Sequence, residues 1–297
     1  MSLNVLKSKL KIALIQFACG APDKSANFQR CKTFVAQAMR EQPGTELVVL
    51  PECFNSVYAA TEFRKNAEVV QESSPSVKFL SELAREHQVT LVGGTIPELE
   101  VETNKVYNTC LVFDKTGQLI GRHRKVHLFD VDIPDGITFK ESDSLSPGNK
   151  STTLDVPQGK IGLGICYDMR FPEIATISAR KGAFAMIYPS AFNTTTGPMH
   201  WHLLARARSV DNEMYTVLCS PSRVPGSGYQ AYGHSLVCDP QGNIVAEAGE
   251  GEEIVYAELD PERISHMRRS IPVTTQVRFD VYRDVSVDAK EDDHMLS

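Results

Sequence analysis

Apolar and polar positions along this chain follow two rhythms. Residues 11–17, 47–50, 89–95 and 183–188 are short runs dense in apolar and β-branched residues, and 214–220 and 253–259 add two more. Runs of this length with little polar interruption predict strands covered on both faces. Paired runs at 106–113 and 118–125, 152–156 and 160–165, and 234–238 and 243–248 predict hairpins. The first turns through Asp114-Lys115-Thr116-Gly117 and the last through Asp239-Pro240-Gln241-Gly242. A helical spacing interleaves with these runs. Asp23 and Ser25 are placed to cap a helix that carries Phe28, Cys31, Val35 and Met39 on one face and ends at Pro43-Gly44. Further helices are predicted over 61–70, over 76–87, from Pro172 to the closing Gly182, over 200–211 and over 261–269. Residues 126–148 and the glycine-rich 221–232 have no period and read as loops; the first is long enough to suggest function. No repeat or Pro/Ser linker breaks the pattern. Residues 10–283 therefore read as one mixed-sheet α/β domain, with tails at 1–9 and 284–297.

Composition narrows the class. Of 297 residues, 42% are hydrophobic and 23% charged, with a net charge of −6, as in ordinary soluble proteins with a large core. No lysine/arginine block suggests nucleic-acid binding, and no apolar run reaches membrane-spanning length. The seven cysteines are odd in number and form no C-x-x-C pair, which predicts reduced thiols rather than disulfides or a zinc site. The N-terminal residues carry Lys7, Lys9 and Lys11 without the apolar segment of a secretory signal, so the cytoplasm is expected, with a mitochondrial pool left open.

Three reactive side chains fall where predicted strands end. Glu52 follows Leu47-Val48-Val49-Leu50-Pro51, Lys125 closes the second strand of the first hairpin, and Cys166 follows the glycine-interrupted strand at 160–165. The carboxyl ends of strands are where α/β sheets present ligands. A thiolate is a strong nucleophile once a base takes its proton, a glutamate with a raised pKa can be that base, and a lysine can hold an oxyanion. The backbone N–H of Tyr167 would be a second oxyanion donor. Each residue alone also fits a plainer role: a solvated carboxylate, a basic hairpin edge in Arg122-His123-Arg124-Lys125, a small core cysteine. His200-Trp201-His202 is not expected to bind a metal, because helix positions i and i+2 do not share a face. Arg206 and Arg208 are expected on a solvated or dimer-facing side, and Cys53 in packing.

Leu50-Pro51-Glu52, then the block from Gly121 through Lys125 to Phe129, then Gly164-Ile165-Cys166-Tyr167-Asp168-Met169-Arg170-Phe171-Pro172-Glu173, resemble in order the three signature blocks of the nitrilase superfamily of carbon-nitrogen hydrolases. The resemblance runs from about residue 11 to 282. It implies a four-layer αββα sandwich, two mixed sheets between helix layers, dimerised through the helix after the cysteine, with no metal or organic cofactor. It implies Glu52 as general base, Lys125 as oxyanion stabiliser, Cys166 as nucleophile and Glu141 as an assisting glutamate. The segments at 127–134, 144–148 and 191–198 resemble the omega-amidase branch, whose substrates are 2-oxoglutaramate and 2-oxosuccinamate. Amidases of deaminated glutathione share the cysteine block and form the alternative; a nitrile-hydrolysing enzyme and a catalytically idle binding scaffold stand further off. Arg170 is the candidate for the substrate carboxylate, its plainer role being an ion pair with Glu173 or Asp168. Phe192 and Thr196 would complete the pocket by resemblance, and Tyr58 lies near enough to Glu52 to face it.

Overall fold

The computed structural model describes residues 4–21, 23–134, 138–226 and 228–290. The ends of the two expected tails, residues 135–137 of the loop at 126–148 and residue 227 of the glycine-rich loop lie outside them.

The first half of the chain builds one sheet. It comprises β1 (Leu10–Gln16), β2 (Leu47–Val49), β3 (Thr90–Val92), β4 (Ile96–Glu100), β5 (Lys105–Phe113) and β6 (Leu119–Arg124), with helices α1 (Lys24–Glu41), α2 (Ala60–Asn66) and α3 (Pro75–His87) between them. After a small hairpin, β7 (Asp130–Asp132) and β8 (Thr138–Lys140), the chain builds a second sheet. This contains β9 (Thr152–Val156), β10 (Gly159–Leu163), β11 (Ala183–Pro189), β12 (Tyr215–Cys219), β13 (Leu236–Cys238) and β14 (Ile244–Glu247), with α4 (Pro172–Arg180) and α5 (Thr196–Asn212) between its strands. Finally β15 (Glu253–Leu259) returns to pair antiparallel with β1, and α6 (Pro261–Ser270) follows. The strand orders are β15-β1-β2-β3-β5-β4, with β6 on β5, and β14-β13-β12-β11-β10-β9.

Strand alternation shows how the layers stack. Ala13, Ile15, Val48, Leu50, Leu91 and Leu111 join one buried cluster with Cys31 and Val35 of α1 and Leu80 and Leu83 of α3. Their neighbours Ile12, Leu14, Leu47, Val49, Cys110 and Val112 join a different cluster with Leu163, Ala185 and Val217 of the second sheet. Because successive side chains point to opposite faces, each central strand packs helices on one side and the other sheet on the other. The result is the four-layer αββα sandwich, a mixed α/β fold. The single mixed sheet inferred from pattern alone is thus two: a strand apolar on both faces does not reveal whether a helix or a sheet covers each.

Local differences from the sequence reading have similar causes. Strand β4 was not foreseen because it carries Pro97 and two glutamates, which a sheet-edge position tolerates. Helix α2 stops at Asn66 instead of running to 70, because the Glu68 N–H donates to Pro97 O at 3.0 Å and its carboxylate takes the Ser76 N–H and the Lys24 ammonium.

Candidate active site

Four side chains meet at one end of the sandwich. Glu52 leaves β2 after Leu50-Pro51, Lys125 directly follows β6, Cys166 follows β10, and Glu141 opens a single 3₁₀ turn after β8. All four are buried, with relative exposures of 1% for Glu52, 0% for Lys125, 0% for Glu141 and 4% for Cys166. The Lys125 ammonium donates to Glu141 Oε1 at 2.8 Å and to Glu52 Oε1 at 3.3 Å. Asn108 of β5 donates to Glu52 Oε1 at 2.8 Å, and its carbonyl accepts the Lys125 N–H at 2.8 Å, so one residue fixes both partners. Glu141 also receives the Tyr58 hydroxyl at 2.7 Å and the Phe129 N–H at 2.7 Å. Glu52 Oε2 has no hydrogen-bond partner among the described residues, and the Cys166 thiol and the Glu52 carboxyl are near enough to influence each other's protonation.

This environment sets the protonation states. Burial pushes the Glu52 carboxyl above its ordinary range; Lys125 opposes this and the Glu141 charge reinforces it. Burial alone would lower Lys125, but Glu141 and Glu52 hold it well above its ordinary value. Burial, then the Glu52 charge, push the Cys166 thiol well above its usual value against the pull of Lys125. Cys166 therefore rests as a thiol, near a carboxyl whose pKa is raised.

Cys166 sits on a strained corner. Cys166 has φ 46°, in the left-handed region that costs a non-glycine residue about 1–3 kcal/mol, and such strain persists only where surroundings impose it. Glycines let the strand approach its neighbours: a Cβ at Gly164 would lie 2.4 Å from Tyr188, and one at Gly162 2.4 Å from Ser178 Oγ. Asp168, fully buried, ties the corner together. Its carboxylate accepts the Ile165 N–H at 2.9 Å, the His127 N–H at 2.8 Å and the His127 ring at 2.8 Å, and lies 3.3 Å from His123 Nε2. Burial would raise Asp168, yet hydrogen bonds from His123 and His127 hold it well below the ordinary carboxylate range. It thus couples the segments flanking Lys125 to the segment carrying Cys166. Arg208 holds the other end, donating to Met169 O at 2.9 Å and Arg170 O at 3.1 Å.

Asn108, Asp168 and Arg208 were not singled out for this site by sequence, although each left a signal. Asn108 is a polar residue inside a strand that is otherwise apolar around it, and Asp168 is an acid in a segment with no solvated face. Arg208 was expected to be solvated or dimer-facing, but it is only 6% exposed, because the carbonyls at the end of the 3₁₀ turn need a donor. Cys53 packs in the core beneath Glu52, with its N–H on Thr95 Oγ1 at 2.8 Å.

A narrow cleft beside Cys166 is lined by Tyr167, Arg170, Phe192 and Thr196, together with Phe129, Ala191 and Tyr229. Arg170 has no carboxylate within salt-bridge distance among the described residues. It donates to His200 Nδ1 at 3.0 Å, and its guanidinium lies 5.0 Å from the Phe192 ring centroid. Tyr58 does not line this cleft; it reaches the site through Glu141. It lines an adjoining cavity of about 550 Å³, which shares Ala191 and Tyr229 with the cleft.

Comparison with known proteins agrees with this geometry. The carbon-nitrogen hydrolase family profile matches residues 11–269. The omega-amidase NIT3 of Saccharomyces cerevisiae is 64% identical over 285 residues, covering 95% of this chain and 98% of that protein. The human omega-amidase NIT2 is 46% identical over 275 residues, covering 93% and 97%. The crystal structure of S. cerevisiae Nit3, a member of branch 10 of the nitrilase superfamily, superposes with a TM-score of 0.87 at 61% identity, covering 93% of this chain and 98% of that one. The C. elegans NitFhit structure superposes at 0.84 with 32% identity, covering 93% and 67%. With the profile spanning most of its length and its buried glutamate, lysine and cysteine gathered at one end of the sandwich, this chain belongs to the carbon-nitrogen hydrolase family.

Proposed function

We propose that this protein is an omega-amidase that hydrolyses the terminal amide of a short 2-oxo acid such as 2-oxoglutaramate or 2-oxosuccinamate. The observation that carries the reading is the pairing of two features in one place. A buried thiol, with a buried glutamate and lysine behind it, lines the cleft, and so does a guanidinium with no carboxylate within salt-bridge distance among the described residues. The first is machinery for acyl transfer, and the second is a bidentate receptor for a carboxylate at the far end of the substrate.

The reaction runs in two halves. Glu52 takes the Cys166 proton as sulfur attacks the amide carbonyl. The negative charge that develops on oxygen is met by the Lys125 ammonium and the Tyr167 N–H, which lies in a first turn where N–H groups lack partners. The carbon–nitrogen bond breaks, the proton passes from Glu52 to nitrogen, and ammonia leaves a thioester on Cys166. Glu141 holds Lys125 in place throughout and assists the transfer. Water then loses a proton to Glu52, attacks the thioester carbonyl and releases the 2-oxo dicarboxylate, and the thiol recovers that proton. Phe192 and Thr196 line the cleft with Tyr167 and shape the space for the substrate.

The decisive experiment compares kcat/KM for 2-oxoglutaramate, deaminated glutathione and a simple nitrile. Arg170→Ala is expected to raise KM for the 2-oxo acid amide roughly 10–100-fold, the scale of a lost charge-assisted bidentate pair, and to leave a neutral amide of similar length nearly unchanged. Cys166→Ala releases no ammonia above background. A preference for deaminated glutathione would move the protein to that sister activity, and equal losses on charged and neutral amides would remove Arg170 from recognition.

The same reading includes a homodimer in the cytoplasm, with no nucleic-acid or membrane partner. Beside α4, helix α5 exposes Met199 at 60% and Leu203 at 62%, one turn apart, a face that a second copy would cover. All seven cysteines are free, in keeping with a reducing compartment. No helix among the described residues is long and apolar enough to cross a membrane. Leu203→Glu is expected to halve the mass measured by sedimentation; an unchanged mass would place the contact elsewhere.

A further inference from the structure

Away from the catalytic centre, three ionisable side chains from three separate elements converge. His202 comes from α5, His234 from the turn before β13, and Glu247 from the end of β14. His202 Nε2 lies 2.7 Å from Glu247 Oε1, and His234 Nδ1 lies 2.9 Å from the same oxygen. One atom from each residue falls within 4.8 Å of the others. We propose that this trio is a binding site for a divalent metal of the zinc class, with water at the remaining position.

The chemistry favours such an ion over a hard one. Two imidazoles and one carboxylate suit Zn²⁺, Co²⁺ or Ni²⁺, whereas Mg²⁺ and Ca²⁺ need sets of oxygen ligands. The geometry is close to ready. Tetrahedral zinc, with bonds of about 2.0–2.2 Å to nitrogen and oxygen, sets neighbouring ligand atoms roughly 3.3 Å apart. The imidazole nitrogens and the shared oxygen therefore spread by about half an ångström as the metal replaces the protons between them. The side chains are 34%, 23% and 30% exposed, so a hydrated ion can enter and keep a water.

The surroundings hold the rings in place. His234 is in the left-handed region, with φ 57°, after Gly233 with φ 77°, and its carbonyl accepts the Trp201 indole N–H at 2.7 Å. The Tyr232 ring stacks on His234 at 4.3 Å and meets His202 edge-on at 6.2 Å. A metal on His202 departs from the sequence expectation of none at His200-Trp201-His202, because the other ligands come from elsewhere in the chain. His200 turns to Arg170, while His202 turns to residues distant in sequence. A bound metal would pin the Tyr232–His234 turn to α5. Behind it, Trp201 packs on Phe192 at 5.1 Å and the Tyr232 N–H donates to the Phe192 carbonyl at 2.7 Å. The site is structural with respect to the cleft and supplies no group to the reaction.

The test is titration of the full-length protein with Co²⁺, followed by its visible spectrum and by Tm. One equivalent is expected to bind with a spectrum of nitrogen and oxygen ligation and no thiolate charge-transfer band. Tm should rise by roughly 5 °C or more at a hundredfold excess over Kd, reversed by chelator. His202→Ala should abolish both signals. Glu247→Gln keeps a hydrogen-bond acceptor between the imidazoles but removes the charge, and should weaken binding at least about tenfold. No uptake, a thiolate band, or undiminished binding in Glu247→Gln would overturn the assignment.

Discussion

Strand β6 carries two electrostatic sites on its opposite faces, and they differ in almost every respect. On the outer face, Arg122 and Arg124, 33% and 19% exposed, meet Glu98 and Glu100, with Arg124 Nη1 2.7 Å from Glu100 and Nε 3.0 Å from Glu98. Two cations there meet two anions; Glu98 is itself buried, while both arginines and Glu100 keep contact with water. On the inner face, His123 and the ammonium just beyond the strand end are fully buried, and a single Lys125 serves both Glu52 and Glu141. Contact distances on the two faces are similar; their consequences are not. On the outer face a single pair contributes little, because solvent reaches the arginines and Glu98 keeps other partners when one is removed. In the interior, removing one member strands the others. On the inner face burial and the surplus of negative charge raise the Glu52 carboxyl, and the two carboxylates hold Lys125 charged; this is the face that the proposed mechanism uses.

The largest break in this contrast comes from Lys125→Met. It leaves two buried carboxylates without their cation and removes the proposed oxyanion donor. Turnover is expected to fall on the order of 10²–10³-fold. Stability should drop by about 3–5 kcal/mol at neutral pH, the scale of an orphaned buried charge. Denaturant unfolding and ammonia release measure the two effects. Turnover within a factor of ten of the native enzyme would mean that oxyanion stabilisation lies elsewhere.

Next in size is the response to pH. Glu52 must be ionised to act as base, and burial, reinforced by Glu141, raises its pKa. The acid limb of kcat/KM should therefore lie above the ordinary glutamate value of about 4.3, with a tenfold loss per unit below it. The sign for stability is opposite to the sign for activity. A carboxyl raised on folding contributes stability below its unfolded value, and that contribution is lost as pH rises through the folded value. Asp168 runs the other way: its lowered pKa contributes stability above the ordinary aspartate range, lost only as pH falls through its own lower value. Removing the Lys125 charge should move the acid limb further upward, because that charge is what opposes burial at Glu52. An acid limb at the ordinary glutamate value in the native enzyme would contradict this poise.

The same contrast explains what could be read from the sequence. Glu52 was legible because a charge directly after four apolar strand residues cannot avoid partial burial. Cys166 was legible because a glycine-interrupted strand ran straight into it, and Lys125 because it ended a hairpin. The motif blocks supplied what spacing lacked, namely that the three belong together and that Glu141 joins them. Asp168 and Arg208 stayed hidden because their partners are backbone groups of a corner formed only in three dimensions. Strand β4 stayed hidden because sheet edges tolerate residues that central strands reject. The division into two sheets was supplied by family resemblance, since alternation along a strand records burial and not the identity of the covering layer.

The smallest expected effect lies on the outer face. Arg122 reaches Glu98 at 3.4 Å while one-third exposed, and Glu98 keeps Arg124 and the Thr109 hydroxyl, the latter at 2.6 Å, when Arg122 is removed. Arg122→Leu is therefore expected to cost no more than about 0.5–1 kcal/mol, to cost less at high salt, and to leave kcat and KM unchanged. Urea unfolding at two ionic strengths and steady-state kinetics give all three values. A fall in kcat here, three residues before Lys125, would show that charge on the outer face reaches through the strand, and the separation of its two faces into a screened pair and a reactive one would no longer hold.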